Sequence, residues 1–234
     1  MIKNKKAKDK IIKIKRQSFN NFTWWFIGCI LILTFFLYRN SLQGEFLNYD
    51  DTQNVVYNMQ IQHLTFGTLT HFFTSSNLYM YSPLTFISYA LDFKIDGLHP
   101  FYFRLTNLMI HLINLIFVFI LANKLLKKKN LSLILTLLFA LHPANVDSVA
   151  WISARSNLLS TMFFLLSLIL YLIFLERKRY SYLVFSIIFC VLSLLSKSSG
   201  VMLPFVLLGI DYFQKRKINY KIIIEKIPDF SSSF

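Results

Sequence analysis

Residues 101–121 read "FYFRLTNLMIHLINLIFVFIL", 21 positions with a single charge at Arg104. About 20 predominantly apolar residues suffice for a helix to cross the hydrocarbon core of a bilayer, so this stretch reads as a transmembrane helix. Its polar members are not scattered. Arg104, Asn107, His111 and Asn114 recur at i, i+3, i+7 and i+10, which places them on one helical face. Lipid cannot satisfy such groups, so the stripe must face protein or a water-filled cavity. A helix of this kind needs partners, and the fold it implies is a bundle.

The rest of the chain supplies them. Hydrophobic residues make up 55% of the 234, aromatics 17% and charged residues 15%, a balance too apolar for an ordinary soluble domain. Further apolar runs at 24–38, 131–141, 157–175, 182–195 and 201–213 give an expected all-α, polytopic membrane helix bundle of about six transmembrane helices, the third and sixth being the shortest. No small-residue cleavage pattern follows the first run, which therefore reads as an uncleaved helix. Cys29 and Cys190 lie far apart inside apolar runs and suggest neither a disulfide nor a metal site.

The net charge of +14 raises the question of nucleic acid or acidic lipid as a partner. Its placement answers it. All Lys and Arg except Arg39, Lys94, Arg104, Arg155 and Lys197 fall before the first run, at 124–129, at 177–179 or from 215 onward. These clusters alternate with the spans as the positive-inside rule requires, with a cytoplasmic N-terminus, and no nucleic acid is needed to explain them. The expected organisation is a basic cytoplasmic segment over 1–21, a transmembrane domain over 22–213 with an outer loop at 40–100, and a basic cytoplasmic tail over 214–234.

In the outer loop, "GTLTHFF" and "SPLTFISYALDF" carry helix-start chemistry, with Pro83 suited to a first turn. They predict short helices lying in the membrane interface. The loop also holds the adjacent carboxylates Asp50 and Asp51. The second outer segment, "HPANVDSVAWISARS" at 142–156, spaces Asp147, Trp151 and Arg155 at i, i+4 and i+8, which predicts one shared helical face. The third, "SKSSG" at 196–200, holds Lys197. A carboxylate partly withdrawn from water gains proton affinity and can serve as a general base, while Arg155 and Lys197 are cations able to hold a phosphate. Together they suit a transferase with a lipid phosphate donor. Arg104 and His111 of the stripe are candidate substrate-binding residues lining the same site. Plainer roles stand beside these: a solvated Asp turn, an Arg155–Asp147 pair, a snorkelling Lys197, a capping His142, and interhelical hydrogen bonding for the stripe that contains Arg104 and His111.

Four segments, "LNYDDTQNVVYNMQIQ", "YSPLTFISYALDFKIDGLHPFYFRLTNLMIHLIN", "LFALHPANVDSVAWISARSNLLS" and "LLSKSSGVMLPFVLLGIDYF", stand in this order over about 46–213. Together they resemble the multispan membrane part of GT-C glycosyltransferases, specifically O-mannosyltransferase-like proteins that carry tetratricopeptide repeats. The resemblance implies a GT-C-like fold and transfer of a sugar, typically mannose, from a polyprenyl-phosphate donor to a hydroxyl of a protein or glycan acceptor at the outer face of a plasma membrane or bacterial inner membrane. It makes Asp50 the catalytic carboxylate with Asp51 its neighbour, assigns His142, Asp147 and Arg155 to site lining, and matches Lys197 to the basic residue of a Ser-Lys-Glu motif. Ser198 stands where that motif has Glu, and Asp147 where Glu is usual. No protein metal site is expected, though a divalent cation on the donor phosphate is compatible with the chemistry. No 34-residue repeat pattern follows the last run, so the sequence reads as truncated relative to that family. A separate chain supplying helices or repeats is then an expected partner, and a non-catalytic remnant or assembly partner is the alternative.

Overall fold

A computed structural model describes residues 21–74 and 81–216. The basic segment expected over 1–21 lies outside the described residues except for its last position, as does the tail from residue 217 onward. Ten α-helices run through the described residues: α1 (Asn21–Tyr38), α2 (Met59–Gln62), α3 (Phe66–Thr74), α4 (Pro83–Asp96), α5 (Pro100–Leu126), α6 (Lys129–Ala140), α7 (Asn145–Ala150), α8 (Arg155–Arg177), α9 (Tyr180–Ser196) and α10 (Leu203–Phe213). Shorter 3₁₀ or π turns occupy Arg39–Gln43, Thr52–Val56, Ile152–Ala154 and Ser198–Met202. The all-α bundle expected from the sequence is the fold.

Each of the six apolar runs is helical, but they are not equivalent. Three helical stretches, Asn21–Gln43, Pro100–Leu126 and Ile152–Arg177, are long and apolar enough to cross a membrane, whereas Lys129–Ala140, Tyr180–Ser196 and Ser198–Phe213 are shorter. Pro100 opens α5 where its missing N–H costs nothing, and Pro83 does the same for α4. Gly97, at φ 58° and ψ −140°, closes α4 in a positive-φ conformation that glycine adopts freely. The corresponding position after α5 and α8 is a lysine, Lys127 and Lys178, each at φ 55°, and Lys215, just beyond the closing Gln214 of α10, has φ 55° as well.

In a bilayer the hydrophobic effect gives no drive for one apolar helix to seek another, so close packing and polar contacts hold the bundle together. The α8–α9 seam shows how. Ser160 and Ser193 share a hydroxyl hydrogen bond of 3.0 Å, and one heptad along, Ser167 and Ser186 share another of 3.0 Å. Each pair adds bonds to the opposing backbone, such as Ser167 Oγ to Ser186 O at 2.8 Å. Asn114 of α5 donates to Leu158 O of α8 at 3.0 Å. Around these contacts Leu168, Tyr171, Leu172, Cys190, Leu203 and Leu207 fill the space between α8, α9 and α10.

Residues 39–74 and 81–99 fold onto one end of the bundle. Val55, Ile61, Phe72, Phe86, Tyr89 and Phe103 form the core of this layer, with Phe72 stacked on Phe86 at 5.8 Å. Burying an aromatic or aliphatic side chain of this size contributes about 1.5–3 kcal/mol where the alternative is water, so this layer is held by ordinary hydrophobic burial. The helices expected at "GTLTHFF" and "SPLTFISYALDF" are α3 and α4.

One local expectation fails. Asp147 and Arg155 do not share a helix, because α7 stops at Ala150 and Trp151 is extended at φ −93°, ψ 122°. Buried carbonyls at Ala150, Trp151 and Ile152 are drawn off to side chains of α4 and α5 instead.

Candidate functional site

The carboxylate pair sits where the loop meets the bundle. Asp50 and Asp51 begin a helical turn that widens into a π turn over Thr52–Val56, a distortion often found at functional positions. The wider turn faces the neighbouring side chains differently. Asp51 is fully buried, its Oδ1 accepting from Ser153 N at 2.9 Å and Ser153 Oγ at 2.6 Å and its Oδ2 from Leu47 N at 3.1 Å. It therefore ties the loop to the turn that precedes α8. Asp50 is half-buried and lines a hollow of about 520 Å³ together with Asn48, Tyr49, Thr52, Gln53 and Tyr57. Tyr49 and Tyr57 are exposed at its sides.

Beneath the hollow lies a polar layer that converges on the turn Ile152–Ala154. Tyr89 donates from its hydroxyl to Ile152 O at 2.9 Å, Asn107 Nδ2 donates to Trp151 O at 3.0 Å, and Arg104 donates to Ala150 O and, at 2.5 Å, to Glu45 O. Asn54 adds a 3.4 Å contact to Ser153 Oγ. Gly44 packs closely on Arg104: a Cβ there would lie 2.9 Å from the guanidinium carbon, so the Arg104 head would have to shift.

Arg155 is the centre of this layer and is completely buried. Its Nη2 pairs with Asp92 Oδ2 at 2.5 Å and donates to Phe103 O at 2.7 Å, Nε donates to Asn107 Oδ1 at 2.7 Å, and Nη1 to Ser88 Oγ at 3.2 Å. The guanidinium also lies 4.6 Å from the Tyr89 ring centre, a cation–π contact. Burial raises the pKa of Asp92, with Arg155 and the 2.8 Å hydrogen bond from Thr106 pulling it back. Burial likewise raises the Tyr89 phenol; Arg155 opposes this, while Asp51, Asp92 and Asp50 are all close enough to reinforce it. Tyr89 thus marks the point around which the loop carboxylates and the buried ion pair gather.

The other expected site residues spread outward. Lys197 is half-buried at the end of α9 and donates to Asn157 Oδ1. His142 is exposed, and its Nδ1 accepts from Ala144 N at 3.2 Å as a turn cap. Asp147 is exposed on α7. His111 is buried within the bundle, edge-on to Tyr38 and stacked on Phe139, with no partner at Nε2. Arg104, Asn107 and Asn114 make the interhelical bonds that the polar stripe predicts. Among the described residues no three His, Cys, Asp or Glu side chains converge as a metal cluster.

Sequence reading missed Asp92, Tyr89 and Ser153 as members of the site. Asp92 carried a signal, being a carboxylate inside an otherwise apolar segment and so in need of a buried cation. Ser153 and Tyr89 carried none, since their roles depend on a turn that only the fold creates.

The profile of a family described as dolichyl-phosphate-mannose-protein mannosyltransferase matches residues 81–226. Among curated proteins, Protein O-mannosyl-transferase TMTC1 of Homo sapiens is 31% identical over 144 residues, 57% of this chain and 16% of the relative. Protein O-mannosyl-transferase tmtc2 of Xenopus laevis is 31% identical over 207 residues, 82% of this chain and 24% of the relative. Tmtc1 of Drosophila melanogaster, also named a Protein O-mannosyl-transferase, is 28% identical over 182 residues, 74% of this chain and 21% of its own length. The aligned part is therefore between about a sixth and a quarter of these relatives' length. No solved structure matches.

Proposed function

We propose, for a chain that belongs to the dolichyl-phosphate-mannose-protein mannosyltransferase family, that it carries the acceptor-activating part of a membrane mannosyltransferase. Mannose passes from a polyprenyl-phosphate donor to a Ser or Thr hydroxyl. The observation that carries this reading is the division of the Asp pair: Asp51 is locked into the scaffold while its neighbour Asp50 is turned to an open hollow.

Asp50 takes the proton of the acceptor hydroxyl as the oxygen attacks the sugar's anomeric carbon, and the lipid phosphate leaves with the bonding electron pair. Asp51 supplies no proton transfer; it fixes the direction in which Asp50 points. Lys197, half-buried beside Asn157, is the cation assigned to the departing phosphate. Arg155 acts one layer down, holding α4, α5 and the Ile152–Ala154 turn in register, so that its charge is matched by Asp92. A divalent ion accompanying the donor phosphate would neutralise charge there, and no step depends on it.

The hollow is assigned to the outer face and the basic end to the cytoplasm. Lys124 and Arg177 lie in the last turns of α5 and α8, and Lys127, Lys128, Lys129, Lys178, Lys215 and Arg216 lie at or just beyond helix ends on the side away from the loop region, the pattern the positive-inside rule assigns to the cytoplasm. The test is transfer of labelled mannose from polyprenyl-phosphate mannose in membranes expressing this chain. Asp50→Asn should lower it at least about 100-fold, the order expected for loss of a general base. Unchanged transfer in that variant removes Asp50 from the chemistry.

A further inference from the structure

At the end of the bundle opposite the Asp50 hollow, α5, α6 and α10 leave a seam between them among the described residues. Leu121, Leu125, Leu135, Val206, Gly209 and Phe213 are among its walls, and it measures about 510 Å³ with an almost wholly apolar lining. Its walls on α5 extend over residues 118–126, or about 12 Å of helix rise. Gly209 lies in this wall with nothing within 4 Å of where a Cβ would be. Beside it, a second hollow of about 530 Å³ is bounded by Tyr212, Phe213, Lys215 and Arg216. Phe213 belongs to both, so an apolar channel and a basic pocket adjoin.

The charge at this mouth is one-sided. Lys127, Lys128 and Lys129 form the α5–α6 turn directly beyond Leu126, and Lys128 and Lys215 are both exposed. Among the described residues the nearby carboxylates are already matched: Asp211 is buried against Tyr171 and Arg216, and Glu176 pairs with Lys124 at 2.9 Å.

We propose that this seam is a binding site for one anionic diacyl phospholipid, with an acyl chain along the apolar channel and the phosphate held at its mouth between Lys215 of the adjoining hollow and Lys128 of the α5–α6 turn. The chemistry of the occupant follows from the adjoining halves: a long apolar body ending in a negative head. A lipid-linked sugar donor is the wrong occupant. The 27 residues of α5 separate the basic mouth from the loop end by about 40 Å, so a phosphate held here is out of reach of Asp50. The site does not depend on the transferase reading.

The full chain, purified in neutral detergent and stripped of lipid, is titrated with phosphatidylglycerol or phosphatidylcholine carrying the same chains, with bound lipid read by native mass spectrometry. Each cation near an anionic lipid head is worth roughly a fivefold preference. Phosphatidylglycerol should therefore bind about 25-fold tighter than phosphatidylcholine, and Lys128→Gln with Lys215→Gln should erase that preference. Gly209→Leu, at an exposed helical position, should occupy the channel and weaken the phosphatidylglycerol complex while keeping the thermal midpoint of the lipid-free protein. Equal binding of the two lipids, a preference that survives the double charge variant, or a concentration-dependent dimer that Gly209→Leu abolishes would each overturn the proposal.

Discussion

Replacing Arg155 with Met removes the charge opposite Asp92 and leaves a buried carboxylate without its cation. Breaking a buried pair from one side costs about 3–5 kcal/mol. Asn107 Oδ1 loses its donor in the same step, an orphaned buried acceptor costing about 1–3 kcal/mol, whereas Phe103 O keeps its intrahelical bond within α5. These terms overlap, so about 4–6 kcal/mol is the expected total, or about 10–20 °C in thermal midpoint at roughly 2–4 °C per kcal/mol for a chain of this size. The deficit should depend on pH in a definite direction. Asp92 already has a raised pKa in the parent, and loss of Arg155 raises it further. A carboxyl whose folded pKa lies above its unfolded value stabilises the fold at low pH and loses that contribution as pH rises through the folded value. On acidification the variant's Asp92 takes up its proton at a higher pH than the parent's, so the gap between the two narrows between pH 7.5 and 5. Arg155→Lys keeps the charge but has a single nitrogen for acceptors on α4 and α5, and should fall between. Thermal unfolding of detergent-purified protein across that pH range is the assay. A midpoint shift under 3 °C for Arg155→Met, or a gap that widens on acidification, refutes this account of the layer.

Three further outcomes follow from particular contacts. Gly44→Ala places a Cβ 2.9 Å from the Arg104 guanidinium carbon and should cost about 1–3 kcal/mol through overpacking, read as a lower midpoint that Arg104→Lys does not worsen. Ser160→Ala should weaken the α8–α9 seam by only about 0.6 kcal/mol, the average for hydrogen bonds between membrane helices, and the Ser160→Ala, Ser167→Ala pair should behave additively in a double-mutant cycle. Lys178→Gly relieves a left-handed residue at φ 55° and should leave the midpoint unchanged or raise it by up to about 1 kcal/mol of stability.

What could be read from the sequence was what depends on periodicity. The 3.6-residue repeat of Arg104, Asn107, His111 and Asn114 gave both the helix and the inward direction of its polar face, because lipid leaves such residues one place to go. Pro83 and the Ser-Pro start likewise marked α4. The break at Trp151 was not readable, since "NVDSVAWISARS" has unbroken helical spacing. It breaks because Arg104, Asn107 and Tyr89, all on other elements, take up the carbonyls of residues 150–152. The same turn presents Ser153 to Asp51, so the difference between two adjacent carboxylates, invisible in "YDD", emerges only when distant segments meet.

That difference is the claim most directly open to measurement. Asp50→Asn and Asp51→Asn, made separately, are compared for thermal midpoint and for mannose transfer in the same membranes. Asp50→Asn should keep the parent midpoint within about 0.5 kcal/mol, as surface substitutions do, and lose transfer. Asp51→Asn should lose about 2–3 kcal/mol of stability, since bonds to a charged acceptor are worth about 1.5–3 kcal/mol each and an amide cannot accept from Leu47 N and Ser153 on both of its atoms. An Asp51→Asn protein as stable as the parent, or an Asp50→Asn protein that still transfers mannose, contradicts the division of the pair.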